Sequence, residues 1–328
     1  MDLTCRDIWL TFAQPSWVSR SIMKHGSIDA AVRACPVCGA GADLSEPFLS
    51  DTRDESQMSA SSFASRKTPE FMSHAMVRCC TCDLAYVDRP PSVEELAASY
   101  HTADYDSAEE AEDAADAYAR SIGPVLARLK ERGSALEIGT GTGAFLARLS
   151  ALGFRDLVGI EPSTAAIAAA PPNLRAWIRE GIFEGSDFPP ESFDLICCFM
   201  TLEHVQDPGA LVSAAHRLLR PGGAFVGVTH DRRAWLNRIL GRRSPIVDIE
   251  HMQLFSARSA MGLLGRNGYI DVGGASFWNS YRPSYWLRLV PMPRPVKDQL
   301  VRRLKGSWAD KRRISLNVGN FMSWGFKP

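Results

Sequence analysis

No stretch of this 328-residue chain approaches ~20 uninterrupted apolar residues, so the sequence predicts no membrane-spanning helix. A secretory signal is missing as well, because the first 23 residues bring in Arg6 and Asp7 early and hold no compact apolar core. No internal repeat stands out. Net charge is absent too, with 37 Lys+Arg against 37 Asp+Glu. At 45% hydrophobic and 23% charged residues the composition is that of a globular protein, which excludes disordered, collagenous and disulfide-scaffold classes. The expectation is a cytoplasmic chain of one large domain, or one domain with a small appendage.

The zero net charge conceals an asymmetry. From Arg217 to Pro328 there are 20 Lys+Arg and 6 Asp+Glu, and the earlier residues carry the opposite excess. Between Glu94 and Asp116 stand nine acidic residues and no Lys or Arg. Either the last third meets an anionic partner or the two halves attract each other across the fold.

The eight cysteines are not scattered evenly. Cys35-Pro-Val-Cys38 and Cys79-Cys80-Thr-Cys82 form two C-x2-C pairs separated by forty residues. Two residues between thiols let a tight knuckle aim both at one ion, and two knuckles complete a tetrahedral S4 shell suited to Zn²⁺. Cys35, Cys38, Cys79 and Cys82 are the predicted ligands of a structural zinc; a closed shell holds a module together and does no chemistry. The Ser/Asp/Thr-rich stretch 50–68 of the spacer is expected to be a hairpin or loop. Cys197 and Cys198 lie in the apolar run Phe193–Met200 and read as buried strand residues.

From about Ser134, short apolar runs alternate with helical periodicity: Ser134–Ile138, Phe145–Leu152, Leu157–Ile160, Phe193–Met200, Gly209–Leu219 and Ala224–Thr229. This alternation predicts an α/β fold with a parallel sheet covered on both faces, and ligands in such sheets bind at the carboxyl ends of the strands. The first run passes into Glu137-Ile-Gly139-Thr-Gly141-Thr-Gly143, where glycines permit a sharp turn and a close approach of ligand to main chain. Glu161, at the tip of the next run, is placed to accept both hydroxyls of a ribose. Two nucleotide cofactors suit this arrangement, but the spacing is E-x-G-x-G-x-G rather than the G-x-G-x-x-G usual for a dinucleotide, and the loop holds no basic residue for phosphate.

That string resembles the first motif of class I S-adenosylmethionine-dependent methyltransferases. The resemblance continues through Ser192-Phe-Asp-Leu-Ile196, Leu202-Glu-His-Val205 with Asp207-Pro208, and Leu218-Leu-Arg-Pro-Gly-Gly223, over roughly residues 130–275. It implies a Rossmann-like seven-stranded sheet with a small N-terminal zinc-binding domain. Gly139, Gly141 and Gly143 would line the methionine and ribose, Glu137 would orient the loop, and Glu161 would hold the ribose. The stretch Cys82-Asp-Leu-Ala-Tyr-Val-Asp-Arg-Pro-Pro91, with Glu94-Glu-Leu96 and Tyr100, is similar to bacterial sugar C-methyltransferases and polysaccharide-cluster methyltransferases. Asp83 stands where that family usually has glycine. Gly181-Ile182 stands where it has Gly-Asp, so Asp187 or the main chain near Phe183–Ser186 is the substitute expected to contact adenine.

An O- or C-methyl acceptor needs a base, and histidine suits near neutral pH. His204, His230 and His251 all follow strand ends. His204 is the first candidate and His251, in Glu250-His-Met-Gln-Leu-Phe-Ser256, the second. Tyr100 and Tyr105 are candidate lid residues. Residues 277–313 carry ten Lys+Arg and two Asp among Phe277, Trp278, Tyr281, Tyr285 and Trp286, as an insertion between a strand at Tyr269–Ser276 and a last one at Ser315–Phe326. Such a segment suits a membrane surface or a lipid-linked acceptor, and also a lid or dimer face.

The expected layout is an N-terminal arm 1–30, a zinc module 31–92, an acidic helical linker 93–132 and a catalytic domain 133–328. The expected function is methyl transfer to a small-molecule acceptor: a sugar, nucleotide-sugar or lipid-linked glycan, with peripheral contact at the inner membrane face through 277–313. RNA methylation is the first alternative, opposed by the acidic linker and the lack of an RNA-binding module. A non-catalytic zinc-module scaffold is the second, opposed by the intact glycines and Glu161.

Overall fold

The computed structural model describes residues 33–54, 56, 58–64, 68–105 and 107–328. The expected arm 1–30 and Cys5 fall outside these. The described chain opens with strands β1 (Ser45–Leu49), β2 (Met76–Cys79) and β3 (Ala85–Val87), paired antiparallel in that order. Among the described residues between β1 and β2 there is no strand, and a 3-10 turn runs Ala60–Phe63.

Helix α1 (Val93–His101) begins at a capping box, in which Ser92 Oγ accepts from the Glu95 N–H and the Glu95 carboxylate accepts from the Ser92 N–H. Helix α2 (Ala108–Ser121) is the predicted acidic segment. Ala111, Ala114, Ala115, Ala117 and Tyr118 are buried along one face, and the acidic residues occupy the other. It runs into the single turn α3 (Gly123–Leu126).

The main domain follows in the expected order. β4 (Ser134–Ile138) is buried along its whole length, as the centre of a parallel sheet must be. Then come α4 (Ala144–Ala151), β5 (Asp156–Glu161), the short helices α5 (Thr164–Ala169) and α6 (Pro172–Arg175), β6 (Ile178–Glu180), β7 (Phe193–Phe199), α7 (Pro208–Leu218) and β8 (Leu219–His230). The Asp207-Pro208 pair is a helix start: the Asp207 carboxylate accepts from the Ala210 N–H, and Pro208 occupies the first turn where no donor is needed. Asp194 is structural as well, accepting from the Gly133 and Ser134 N–H groups and pairing with Arg220 at 2.8 Å.

After β8 come α8 (Trp235–Leu240), the two-residue β9 (Gln253–Leu254), α9 (Ala257–Arg266), β10 (Ile270–Ser276), β11 (Asn279–Tyr281), α10 (Pro283–Leu289), α11 (Arg294–Leu304), β12 (Ile314–Leu316) and β13 (Asn320–Phe326). The large sheet has the order β10-β13-β8-β7-β4-β5-β6, parallel except for β13, which runs antiparallel to both its neighbours β8 and β10. This is the class I methyltransferase arrangement, with the antiparallel seventh strand inserted between the fifth and sixth. Between β10 and β13 lie β11, α10, α11 and β12, and the antiparallel pair β11–β12 closes the neck of this segment.

Two features tie the cysteine module to the main domain. β9 joins β3, making the last strand of the module's own sheet. Asp83 adopts φ +71, the left-handed geometry a glycine would take, which Asp tolerates better than most residues. Its carboxylate meets Arg232, Arg233 (Nε at 2.7 Å) and Arg78, so this departure from the family pattern clamps the module onto the turn after β8.

Among the described residues no helix is long and apolar enough to cross a membrane.

Candidate active site

A cleft of about 670 Å³ opens at the carboxyl ends of β4, β5, β7 and β8. At one end lies the glycine loop. Gly139, Gly141 and Gly143 have φ of +77, +56 and +76, and a Cβ on Gly139 would sit 2.2 Å from Thr201 Oγ1. A Cβ on Gly141 meets nothing within 4 Å. The loop is held by its acids. Glu137, buried under it, accepts from Thr140 Oγ1 at 2.5 Å. Glu161 accepts from the Gly141 N–H at 2.7 Å through one oxygen and from the Ser163 N–H at 2.8 Å through the other. Burial raises the Glu161 carboxyl above its usual range, and these two bonds oppose the shift.

Gly181, Ile182, Phe183 and Gly185 form the adjoining wall. Asp187 is exposed and lies outside the residues lining the cleft, so at this wall the apolar Ile182 and Phe183 take the position expected of Asp187.

At the other end all three histidines gather. The His204 and His251 ring centroids are 4.8 Å apart, and those of His230 and His251 5.7 Å. His204 Nδ1 lies 2.9 Å from Tyr100 Oη and 3.1 Å from the Glu250 carbonyl. The half-buried Tyr100 has its hydroxyl pushed well above its ordinary range by burial and by the Glu250, Asp248 and Glu203 carboxylates. His251, 4% exposed, donates from Nδ1 to the Ile246 carbonyl at 2.8 Å. Burial, helped by His204, pushes its imidazole down to about 3. Glu203, 1% exposed, accepts from the His230 N–H at 2.6 Å and faces His230 Nδ1 at 2.9 Å. Its burial would raise the carboxyl, but the imidazoles outweigh this and hold it down to about 2.

This end is positioned by β9. The Gln253 amide donates to the Leu202 and Val205 carbonyls, both at 2.6 Å, and the Met252 N–H donates to the Glu203 carbonyl at 2.7 Å. The loop bearing Glu203 and His204 is thus tied to a strand that is also an edge of the cysteine module.

The remaining wall comes from the basic insertion: Asn279, Tyr281, Tyr285, Trp286 and Leu289, with Asn320 beside them. Its positive charge meets the acidic helix α2, through Arg282–Glu109 at 3.0 Å, Arg288–Glu110 at 3.6 Å and Arg313–Asp113 at 2.8 Å. Both amide atoms of fully buried Asn279 and the Oδ1 of Asn320 have no hydrogen-bond partner. Tyr105 also lines the cleft.

The four cysteine sulfurs come together within 4.8 Å of one another, with Cys35–Cys82 and Cys38–Cys79 each 3.5 Å apart. A ZnS4 shell with Zn–S of about 2.3 Å places its sulfurs about 3.8 Å apart, so the donor set fits the ion. The sulfurs perturb one another: Cys79 is driven toward thiolate, while its neighbours push Cys35 up to about 12 and Cys82 up as well. Cys197 and Cys198 are buried in β7, as expected.

Sequence reasoning did not single out Glu203, Asn279 or Asn320. Glu203 lies inside the Leu202–Val205 motif, and its signal was an acid directly before a histidine. The two asparagines carry no local signal.

The family described as a methyltransferase domain matches residues 108–272 of this chain. The ubiquinone biosynthesis O-methyltransferase of Photorhabdus laumondii is 28% identical over 116 residues, covering 32% of this chain and 47% of that protein. Its counterpart from Pseudomonas syringae pv. tomato is 31% identical over 114 residues, covering 32% and 49%. The chain spans about half the length of these curated relatives. Solved structures with a similar fold include a SAM-dependent methyltransferase of Thermotoga maritima (19% identity, TM-score 0.44, 67% of this chain and 94% of that one). Another is phosphoethanolamine N-methyltransferase 2 of Haemonchus contortus (17%, TM-score 0.46, 74% and 62%).

Proposed function

Because the chain belongs to the methyltransferase-domain family, we propose that it moves a methyl group from S-adenosylmethionine to a small hydroxylated acceptor. The observation that carries this reading is the glycine loop with the Glu161 carboxylate beside it at the mouth of the cleft. Open space at the Gly141 Cβ position and the left-handed loop make a cradle that only glycines leave free for a ligand. Glu161 keeps acceptor capacity for a ribose diol beyond the two N–H bonds it takes, and Ile182 and Phe183 offer an apolar wall to adenine. When bound there, the cofactor supplies an electrophilic methyl on a sulfonium.

The chain's part is to place the acceptor, exclude water and take a proton. His204 is the proposed base. When its Nδ1 donates to the Glu250 carbonyl, Nε2 carries the lone pair that accepts, and Tyr100 fixes the ring. His251, driven down by burial, is the second candidate. Tyr281, Tyr285 and Trp286 close the acceptor side against water. For the acceptor we favour a sugar, nucleotide-sugar or lipid-linked glycan: the unpartnered amide of Asn279 and Oδ1 of Asn320 beside an aromatic wall suit a molecule rich in hydroxyls. The relatives' name concerns O-methylation in ubiquinone biosynthesis, and a prenylated phenol is the competing acceptor to assay. The cysteine cluster is the proposed structural zinc site of a module at 31–92, with an acidic linker to 132 and the transfer domain beyond.

Exposed Val296, Leu300 and Trp308, with Arg302, Arg303 and Lys305 beside them, are the proposed contact with an anionic membrane or lipid carrier.

The test is transfer of labelled methyl from the cofactor to panels of nucleotide-sugars, lipid-linked glycans and prenylated phenols. His204→Ala should lower turnover far more than cofactor affinity. Equal turnover in that variant removes His204 from the mechanism, and labelling of RNA alone would replace the small-molecule reading.

A further inference from the structure

The histidine end of the cleft contains more than a base needs. Glu203 is a buried carboxylate with one oxygen fully used by His230, while the other, Oε2, has no hydrogen-bond partner. A buried anion oxygen left bare is costly unless something cationic answers it. One ligand atom each from Glu203, His230 and His251 lies within 4.8 Å of the others. The His251 ring is already set for coordination. The Ile246 carbonyl can only accept, so the proton sits on Nδ1 and the lone pair on Nε2. Three carbon-chain elements converge to make this set: the turn after β7, the end of β8 and the segment leading into β9.

We propose that Glu203, His230 and His251 hold a divalent first-row transition cation, distinct from any zinc on the four cysteines. Two imidazoles and one carboxylate suit Mn²⁺, Fe²⁺, Co²⁺ or Zn²⁺, and such a set leaves coordination positions open. Ligands about 2.1 Å from one ion lie at most about 4.2 Å apart, so a set already within 4.8 Å needs to close by about 0.6 Å or less. His204 stays outside it, because its Nδ1 is engaged by Tyr100 and the Glu250 carbonyl. His230 and His251 line the acceptor half of the cleft, with Glu203 buried and bonded to His230, and Asn320 pairs with His230 across β13 and β8. The ion's role rests on the methyl-transfer reading: its open positions would orient two neighbouring oxygens of the acceptor and ease loss of a proton from one of them to His204. That narrows the acceptor class to molecules with vicinal oxygens, such as a diol or a hydroxyketone.

The experiment uses the full-length protein with its zinc content first measured. Mn²⁺ is the probe, since a hard ion favours the nitrogen and oxygen set and does not displace zinc from thiolates. Calorimetry and the paramagnetic signal of bound Mn²⁺ should give one site per chain. Affinity should fall about 100-fold or more in His230→Ala and His251→Ala. Glu203→Gln should do the same. If it fails to fold, the half-exposed His230 position keeps the test intact. S-adenosylhomocysteine binding is measured on every sample. Wild-type protein that binds the nucleoside but takes up no Mn²⁺, Co²⁺ or second Zn²⁺ overturns the ion site and leaves methyl transfer standing. So does Mn²⁺ binding that neither histidine variant weakens. Loss of nucleoside binding in the wild type, with Mn²⁺ still bound, supports the ion site and defeats the methyl-transfer reading instead.

Discussion

Replacing Gly139 with alanine tests the loop at its tightest point. The new Cβ would lie 2.2 Å from Thr201 Oγ1 and 3.0 Å from its Cγ2, far inside contact distance. Thr201 cannot simply swing away, because its hydroxyl donates to the Phe199 carbonyl at 3.0 Å and to the Ile138 carbonyl at 3.3 Å. The overpacking costs about 1–3 kcal/mol. An alanine at φ +77 adds about 1 kcal/mol. The sum, about 2–4 kcal/mol, falls on a loop that must stay in place for the cofactor, so affinity should drop about 30- to 1,000-fold at 1.4 kcal/mol per decade. Gly141→Ala supplies the control. It has the same backbone penalty with no neighbour within 4 Å, so the apo loop loses only about 1 kcal/mol, or about fivefold, before any contact of the new methyl with the ligand. Thr201→Ala in the Gly139→Ala background removes both nearest atoms and should recover more than about 1 kcal/mol as a positive coupling. Calorimetry with S-adenosylhomocysteine, with thermal unfolding alongside, reads each term. Thr201→Ala giving no rescue, or Gly139→Ala binding as tightly as wild type, would refute the reasoning.

Other expectations concern the module, the sheet and the insertion. Purified protein should carry one zinc on its cysteines, and stripping it or making Cys38→Ser should lower the unfolding temperature and loosen β9, seen by mass spectrometry and hydrogen exchange at 250–256; zinc-free protein with unchanged melting would contradict this. Asp194 is buried, which opposes ionisation, but Arg220 and the two N–H donors win and lower its carboxyl below the usual range. A depressed carboxyl stabilises above its unfolded value and loses that contribution as pH falls through the folded one, so the effect is complete at neutrality and fades below about pH 4. Asp194→Asn should therefore cost about 1–3 kcal/mol at pH 7 in denaturant unfolding and much less at pH 3; an equal cost at both would show that ionisation is irrelevant. Flotation with anionic vesicles at low salt should carry the wild type upward and leave Leu300→Asp/Trp308→Ser behind, and a wild type that stays at the bottom excludes the membrane contact.

Much of the architecture could be read from local pattern. β4 matches its apolar run residue for residue, and α7 starts within a residue of its predicted position, because periodicity and caps are local properties. The glycine loop and Glu161 were visible for the same reason, since both sit at the ends of recognisable strands. What escaped depends on contacts far apart in sequence. Nothing near Gln253 announces that two residues complete the cysteine module's sheet, because a pair that short has no period. The charge asymmetry indicated attraction between the halves or an anionic partner, but not that Arg282, Arg288 and Arg313 would each find an acid of α2. Local sequence offers Asp187 or the main chain near Phe183–Ser186 as the adenine contact, and only the latter stretch, through Phe183 and Gly185, lines the cleft. The chain instead turns an apolar pair into the cleft there, since the Gly185–Asp187 turn leaves the carboxylate in solvent.

The central claim is that the β4–α4 loop and the tip of β5 grip a sulfonium nucleoside. Isothermal titration of S-adenosylmethionine into intact folded protein, repeated with Glu161→Ala, measures it directly. The wild type should show one site per chain and the variant at least a tenfold weaker one, from loss of a charged hydrogen bond of about 1.5–3 kcal/mol. A folded wild type that releases no heat with the nucleoside or its demethylated product, or a variant that binds as well as wild type, would contradict it.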